Sequence, residues 1–117
     1  MFELHGLNGA SIFVNPATIY RIRRAVVGED PAACEVQYGA SYVLSTETAG
    51  DIVSRLGQKP KMIAVTARDG SPVWLNKDLI GAVRPALPIN APGTEITISG
   101  HYQHVIESVE EVLALMV

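Results

Sequence analysis

The sequence predicts an α+β fold, mostly β, made of two tandem copies of a small antiparallel β-sheet unit that each end in a helix. Three observations predict it. The chain repeats its residue pattern at a nearly constant offset, each copy contains short strand-like segments separated by turn signals, and each copy closes on a helical period. The chain has 117 residues, of which 48% are hydrophobic and 18% charged, and this is the composition of a globular domain.

The repeat covers almost the whole chain. An offset of 61 residues pairs Met1 with Met62, Gly9 with Gly70, Asn15 with Asn76, Ile19 with Ile80 and Arg23 with Arg84. Past a variable loop, an offset of 60 residues pairs Glu35 with Glu95, Tyr42 with Tyr102 and Glu47 with Glu107. The predicted copies are residues 1–56 and 62–117, with a linker at 57–61. Because units this short bury little surface alone, we expect them to share a core or extend one sheet across a pseudo-twofold axis.

Each copy begins with the signals of a β-hairpin. The segment FELH alternates apolar and polar residues, as a strand with one buried face does. The dipeptides NG (residues 8–9) and DG (69–70) predict tight turns, because their residues tolerate positive φ. The strands SIFV and PVWL follow, and we expect Asn15 and Asn76 to cap a short turn after them.

Further strands and a closing helix complete each copy. Strands are predicted near residues 19–26 and 80–84, at CEVQY and TEITI, and around Tyr42 and Tyr102. The predicted inward-facing residues of CEVQY and TEITI are Cys34, Val36 and Tyr38, and Thr94, Ile96 and Ile98. Thr48 and Ser108 each stand three residues before a carboxylate, which is the spacing of a capping box at a helix start. One-sided apolar stripes follow at Ala49, Ile52, Val53 and Leu56, and at Val109, Val112, Leu113 and Met116.

Two features predict contacts with protein. The triplets around Phe13 (IFV) and Trp74 (VWL) place apolar groups on both faces of their strands, whereas a strand with one buried face alternates. We expect the Phe13 or Trp74 face to meet the helix, the other copy or a partner. The C-terminal VLALMV is apolar almost all round, so Leu115 and Met116 are expected to be buried against the first copy or to contact a partner or second chain.

The basic segment RIRR supplies an alternative function. Arg21, Arg23 and Arg24 are candidate contacts to an anion or a nucleic-acid backbone, and Arg21 and Arg23 share one face of the predicted strand. The net charge of −3 counts against this alternative, because binding to phosphates normally needs a basic face.

Charged residues that recur in both copies predict a structural role. Arg23 corresponds to Arg84, and Glu47 corresponds to Glu107. We expect these residues to form arginine–carboxylate pairs that brace the start of each helix.

The sequence contains no catalytic or cofactor signature. A His101-x-x-His104 pair on a strand would point to opposite faces and has no further ligand at zinc-like spacing. His104 aligns with Leu44, so we expect it to be partly buried and hydrogen-bonded. Cys34 lies on a predicted inward face, which favours an inert core thiol. No phosphate-binding loop or nucleophile motif is found, and we expect no enzymatic activity, cofactor, metal or small-molecule ligand.

The pattern of hydropathy predicts a cytoplasmic protein. No apolar run approaches the roughly 20 residues of a membrane span, and the first residues lack the basic and apolar regions of a secretory signal. The single cysteine suits a reducing compartment.

Three segments resemble the FlbD-type family of flagellar accessory proteins: GLNGASIFVNPATI (residues 6–19), TARDGSPVWLNKDLI (66–80) and YQHVIESVEEVL (102–113). The resemblance covers nearly the whole chain, twice, although the family's members are single-copy. It implies a cytoplasmic, non-catalytic accessory protein linked to motility, and it supplies no catalytic residues. LytTR-type DNA-binding domains share a similar strand–turn–strand phrase, but the acidic balance counts against them.

The sequence therefore favours a non-catalytic protein–protein interaction module, built as a pseudo-dimer and associated with motility. Its expected partner is another protein or a second copy of itself. The alternative is a nucleic-acid-binding domain that uses the strand from Arg21 to Arg24.

Overall fold

The fold was analysed in a computed structural model that describes residues 1–25 and 33–117. The strands are β1 (Phe2–His5), β2 (Ser11–Val14), β3 (Ile19–Arg24), β4 (Cys34–Tyr38), β5 (Ser41–Ser45), β6 (Met62–Thr66), β7 (Pro72–Asn76), β8 (Ile80–Pro85), β9 (Thr94–Ile98) and β10 (His101–Val105). The α-helices are α1 (Ala49–Leu56) and α2 (Val109–Leu115), and 3-10 turns lie at Pro16–Thr18, Lys77–Leu79 and Pro88–Asn90. The predicted mostly-β α+β class with antiparallel sheets is confirmed. The end of the predicted strand 19–26 and most of the loop after it lie outside the described residues.

Elements follow the same order in residues 1–56, the first half, and residues 62–117, the second half. Each half has a hairpin, a 3-10 turn, a three-stranded meander and a helix. A further 3-10 turn lies at Pro88–Asn90, and the corresponding residues of the first half are outside the described ranges. β3 and β8 even carry a β-bulge at the same place, between Ile19 and Arg21 and between Ile80 and Ala82. An origin by duplication, the domain bounds and a twofold relation between the halves stay predictions.

One sheet contains strands from both halves. Its order is β5-β4-β3-β7-β6, so the first meander continues into the second hairpin through the antiparallel pair β3·β7. In that pair Ile22 lies opposite Trp74. The remaining strands form a three-stranded sheet, β10-β9-β8, and a two-stranded sheet, β1-β2. Within residues 1–25 and 33–117, β2 therefore pairs only with β1 and β8 only with β9.

Each half packs its own core, and one aromatic residue crosses from each half into the other. The buried residues of the first core are Leu4, Val14, Ile19, Ile22, Cys34, Val36, Val43, Ile52 and Leu56. Those of the second core are Ile63, Val65, Val73, Leu75, Ile96, Ile98, Val105 and Val112, joined by Tyr20 from β3. Trp74 from β7 packs against the first core in return. Tyr20 and Trp74 therefore link the two cores, one on each face of the β3·β7 pair.

Hydroxyl caps start both helices, as predicted. Ser108 and Glu111 form a full capping box, whereas Thr48 accepts only the bond from the Asp51 backbone N–H. The predicted stripe of α1 faces the core, but in α2 Leu113 is 49% exposed, so its assignment to the buried stripe is wrong. α2 packs on β8 and β6 of its own half, and it buries Val112 fully.

Asn15 and Asn76 cap equivalent 3-10 turns but differ in one contact. Each side-chain oxygen accepts a bond from the backbone N–H two residues later, at 3.1 Å from Ala17 and 3.0 Å from Asp78. Asn76 is also buried, and its Nδ2 donates to the Ile19 carbonyl of the first half at 2.9 Å. Asn15 is exposed. A comparison of the two asparagines therefore separates the stability due to capping from the stability due to the junction, the contact between the halves at the β3·β7 pair.

We predict that Asn76→Ala destabilises the protein more than Asn15→Ala does. Loss of a cap costs about 1 kcal/mol, and loss of Asn76 also leaves the Ile19 carbonyl buried without its donor, which costs about 1–2 kcal/mol more. Urea unfolding of the two variants and the wild type would measure the difference in the free energy of unfolding. Equal costs would show that the bond to Ile19 contributes nothing to the junction.

Candidate functional site

A cleft of about 740 Å³ lies where the end of β3 faces the second half. Its charged lining residues are Arg23, Arg24, Arg68, Asp69 and Glu95, and its aromatic ones are Tyr102 and His104. The arginines are held by their own chain. Arg24 contacts the Asp69 carboxylate at 2.9 Å, and Arg68 donates to the Asn90 carbonyl at 2.8 Å. The cleft is therefore part of the contact between the halves, with its cations already partnered.

Arg21 has a structural role that its sequence context did not reveal. Its side chain is only 5% exposed and donates to Gln37, to the Tyr102 carbonyl at 3.2 Å and to Gln103 Oε1 at 3.0 Å. Burial, and then the charge of Arg23, lower the pKa of Arg21 from its ordinary value. Arg21 and Arg23 share a face of the sheet, as predicted, since they lie opposite Leu75 and Val73.

Arg21 is therefore not exposed for the predicted anion contact, because it is buried and donates to β4 and β10. An anion contact through Arg23 and Arg24 stays a prediction. Arg23 pairs with Glu35 at 3.3 Å, and Arg24 is the exposed member of the trio, with Asp69 as its partner. The alternation in RIRR correctly predicted that Arg21 and Arg23 share one face of β3. It could not show that β10 of the other half would cover that face.

The predicted Arg23–Glu47 and Arg84–Glu107 pairs are also wrong in their partners. Arg23 pairs with Glu35, and Arg84 pairs with Glu95. In each case the glutamate lies directly opposite the arginine on the neighbouring antiparallel strand. Directly opposed side chains are the closest neighbours in a sheet, so the strand register decided the pairing. The recurrence of Glu35 as Glu95 was the signal that could have identified it.

Glu47 and Glu107 instead hold the first strand of each half to the start of its helix. Glu47 contacts His5 of β1 at 2.6 Å and Arg55 of α1 at 2.6 Å. Glu107 accepts bonds from the Thr66 backbone N–H at 2.9 Å and from its hydroxyl at 2.8 Å. His5 and Thr66 occupy equivalent positions in β1 and β6, so the two glutamates perform the same task with different donors.

The pKa of Glu47 lies below its ordinary value. Partial burial alone would raise this pKa, but the hydrogen bonds and charges of His5 and Arg55 stabilise the carboxylate and outweigh the burial. A carboxyl group whose pKa is lower in the folded state stabilises the fold above its unfolded pKa of about 4.3. That contribution is lost as the pH falls through the lowered folded pKa.

We predict that Glu47→Gln reduces the free energy of unfolding at pH 6 by about 1.5–3 kcal/mol, the range for hydrogen bonds to a charged group. The difference from the wild type should shrink as the pH is lowered through 4 towards 3, because protonation removes the same charge in the wild type. Chemical unfolding at several pH values would measure it, with Glu110→Gln as a control for removal of an exposed carboxylate. A deficit that persists unchanged at pH 3 would contradict the role given to the Glu47 charge.

The two histidines of β10 do not act together. His101 stacks on Tyr20, with ring centroids 5.0 Å apart. Nε2 of His104 lies 3.0 Å from the Asn90 carbonyl and 3.1 Å from that of Pro92. His104 is half-buried, so its predicted burial and hydrogen bonding are confirmed. Both rings support packing between loops and strands.

Cys34 is placed where a thiol is least reactive. It is fully buried in the first core, and burial, followed by the charge of Glu47, raises its pKa to about 12. Because the thiolate is the reactive form, this side chain is held as a neutral thiol at physiological pH.

The candidate interaction residues fall into two groups. Trp74 and Met116 pack against the first and second cores, so they are contacts within the chain. Phe13 is 59% exposed on β2, and Leu115 is 39% exposed on α2. Phe13 and Leu115 are thus the members of the predicted set that the fold leaves available.

The last turn of α2 presents an apolar outer surface. Leu113, Ala114, Leu115 and Val117 are all exposed. At the matching position of α1, Arg55 lies over the Phe2 ring at 4.6 Å and donates to the Glu3 carbonyl. Of the two alternatives for the tail, burial against the first half does not hold for Leu113, Leu115 and Val117. Exposed apolar groups that adjoin one another are typical of an interaction surface.

No helix in the described part of the chain is long and apolar enough to cross a membrane. Searches of curated proteins and of solved structures returned no match. A scan against family models gave the FlbD family, described as flagellar and swarming motility proteins, over residues 62–117. The match covers the whole second half, from the first residue of β6 to the last residue of the chain, and just under half of the 117 residues.

Proposed function

We propose that this protein is a non-catalytic accessory component of flagellar or swarming motility, and that it acts by binding another protein. The observation that carries the proposal is the match of residues 62–117 to a family of flagellar and swarming motility proteins. The bounds of that match coincide with one complete set of hairpin, meander and helix. We further propose that residues 1–56, with the same order of elements, are a diverged second copy of this unit.

The surface proposed to bind the partner is the outer face of α2. Its last turn is apolar at Leu113, Ala114 and Leu115, whereas its first turn carries Glu110 and Glu111. In α1 the residues that match Ala114 and Leu115 are Ser54 and Arg55, so the first half lacks this surface. A complementary partner would offer an apolar groove that is flanked by lysine or arginine.

The contacts of the titratable groups support a structural role for them. Cys34 is a buried neutral thiol, and Glu47 and Glu107 are engaged by β1 and β6. The pairing of Arg21, Arg23 and Arg24 with their own chain leaves the nucleic-acid alternative without support. A single reduced cysteine suits the proposed cytoplasmic location.

We predict that deletion of the gene from its host reduces spreading on soft agar, and that the wild-type gene restores it. Leu113→Glu/Leu115→Glu should fail to restore spreading, because two charges on the apolar face exclude the partner. Ser54→Glu/Gln58→Glu adds the same charge to exposed positions near α1 and should restore it. Cellular levels and thermal unfolding of both variants would be measured alongside. Normal spreading of the deletion strain would contradict the motility role, and rescue by the α2 variant would contradict the surface.

A further inference from the structure

The three sheets of this protein are one complete sheet and the two unjoined pieces of a second. The complete sheet joins the meander β5-β4-β3 to the hairpin β7-β6. The equivalent meander, β10-β9-β8, and the equivalent hairpin, β1-β2, stand as separate sheets. Within the described residues, the edge of β8 that matches the joined edge of β3 is unpaired, and so is the edge of β2 that matches that of β7.

We propose that these two edges join different copies of the chain head to tail, with β8 of one copy pairing antiparallel to β2 of the next. The register follows from the internal junction, where Ile22 lies opposite Trp74. The equivalent residues are Val83 and Phe13, so Val83 of one copy would lie opposite Phe13 of the other. The product is a five-stranded sheet of order β10-β9-β8-β2-β1.

The exposure of equivalent residues supports this assignment. Trp74 is covered because it packs against the core of the other half, whereas Phe13 is 59% exposed. Asn76 is buried by its bond to Ile19, whereas Asn15 is exposed. The same pattern holds on the opposite edge, where Tyr20 and Arg21 are buried but Gly81 and Ala82 are exposed. In each of these comparisons, the residue at the internal junction is covered and its equivalent in the other half is exposed.

A groove on the first half corresponds to the cleft at the internal junction, but one of its walls is missing. It has a volume of about 640 Å³ and includes Leu7, Ile12, Tyr42 and Leu44. The equivalent residues Arg68, Val73, Tyr102 and His104 line the cleft at the internal junction. There the other wall is the end of β3, Arg23 to Ala25. The corresponding wall for the open groove would be Arg84 to Ala86 from a second copy.

Residues that contact each other at the internal junction also differ together from their equivalents in the other half. The ion pair Arg24–Asp69 corresponds to Pro85 and Asn8, and both charges are absent. The bond from Arg21 to Gln103 has no such open counterpart, because Gln103 corresponds to Val43, which is already buried in the first core. The stack of Tyr20 on His101 corresponds to the small pair Gly81 and Ser41.

In the two pairs whose members are both exposed, Pro85 with Asn8 and Gly81 with Ser41, the members match each other in charge or size. Mutual fit is expected if the members still meet, now across two chains. The internal contact is also heterologous, since it joins the β3 edge of one unit to the β7 edge of another. A heterologous contact leaves one edge of each kind free and propagates into a ring or a filament. The intermolecular contact lacks the ion pair, the arginine bonds and the aromatic stack, so it should dissociate on dilution.

Sedimentation of the purified full-length chain over a wide concentration range tests the proposal. The wild type should shift with concentration from the 12.5 kDa monomer to larger species. Phe13→Glu should raise the dissociation constant at least tenfold, and its thermal unfolding at low concentration should match the wild type because Phe13 is exposed. Leu113→Glu makes the same kind of change on α2 and should leave association intact. A wild type that stays monomeric, or association lost in Leu113→Glu and kept in Phe13→Glu, would overturn the proposal.

Oxidative cross-linking tests the register and distinguishes a second copy from closure within one chain. Phe13→Cys/Val83→Cys should form disulfide-linked dimers and larger products on a non-reducing gel. The out-of-register pair Phe13→Cys/Arg84→Cys should give at least fivefold less, and buried Cys34 provides the wild-type background. A disulfide formed within a single chain, or equal yields from the two pairs, would overturn the proposal. These results do not depend on the motility role, so the two proposals fail separately.

Discussion

The pairing of β3 with β7 is the interaction on which the rest of the structure depends. It lets a hairpin from the second half complete the sheet of the first, and it brings Tyr20 and Trp74 into the cores that they do not belong to by sequence. A unit of about 56 residues buries only about 60% of its unfolded surface and is marginal alone. By sharing a sheet, each half covers apolar surface that its own elements leave open.

The burial of the Arg21 charge also depends on the docking of the two halves. Taking a guanidinium out of water is unfavourable, and it is tolerated because acceptors from β4 and β10 surround the group. Two of those acceptors belong to the second half, so Arg21 is satisfied only when the halves are docked. Separation of the halves would also expose the ring contacts of Tyr20 with His101 and the bond from Asn76 to Ile19. The junction is therefore specific as well as apolar.

The features that the sequence predicted well are those that a local pattern determines. The alternating burial of TEITI, the caps at Thr48 and Ser108, and the hydrogen-bonded state of His104 all follow from neighbours within a few residues. In CEVQY the predicted Cys34 and Val36 do lie in the core, but Glu35 and Gln37 on the other face are buried as well. The apolar triplet around Trp74 correctly indicated a strand with contacts on both faces.

The predictions that failed depend on which strand lies beside which. To predict the partners of Arg23 and Arg84, one would need the register of β3 with β4 and of β8 with β9. To predict the burial of Arg21, one would need to know that β10 of the other half covers it. The periodicity of the sequence carries no such information. Leu113 fits the helical stripe by spacing, yet the stripe says nothing about how far the sheet beneath α2 extends. Contacts between elements distant in sequence were the common missing information.

The β3·β7 pair should make one cooperative fold of the two halves. Equilibrium unfolding in urea can follow the first core through labelling of the Cys34 thiol and the junction through the fluorescence of Trp74, the only tryptophan of the chain. Two-state unfolding requires that independent probes report the same transition. The two curves should share one midpoint and one slope. Labelling of Cys34 at a urea concentration that leaves the Trp74 signal native would contradict the claim.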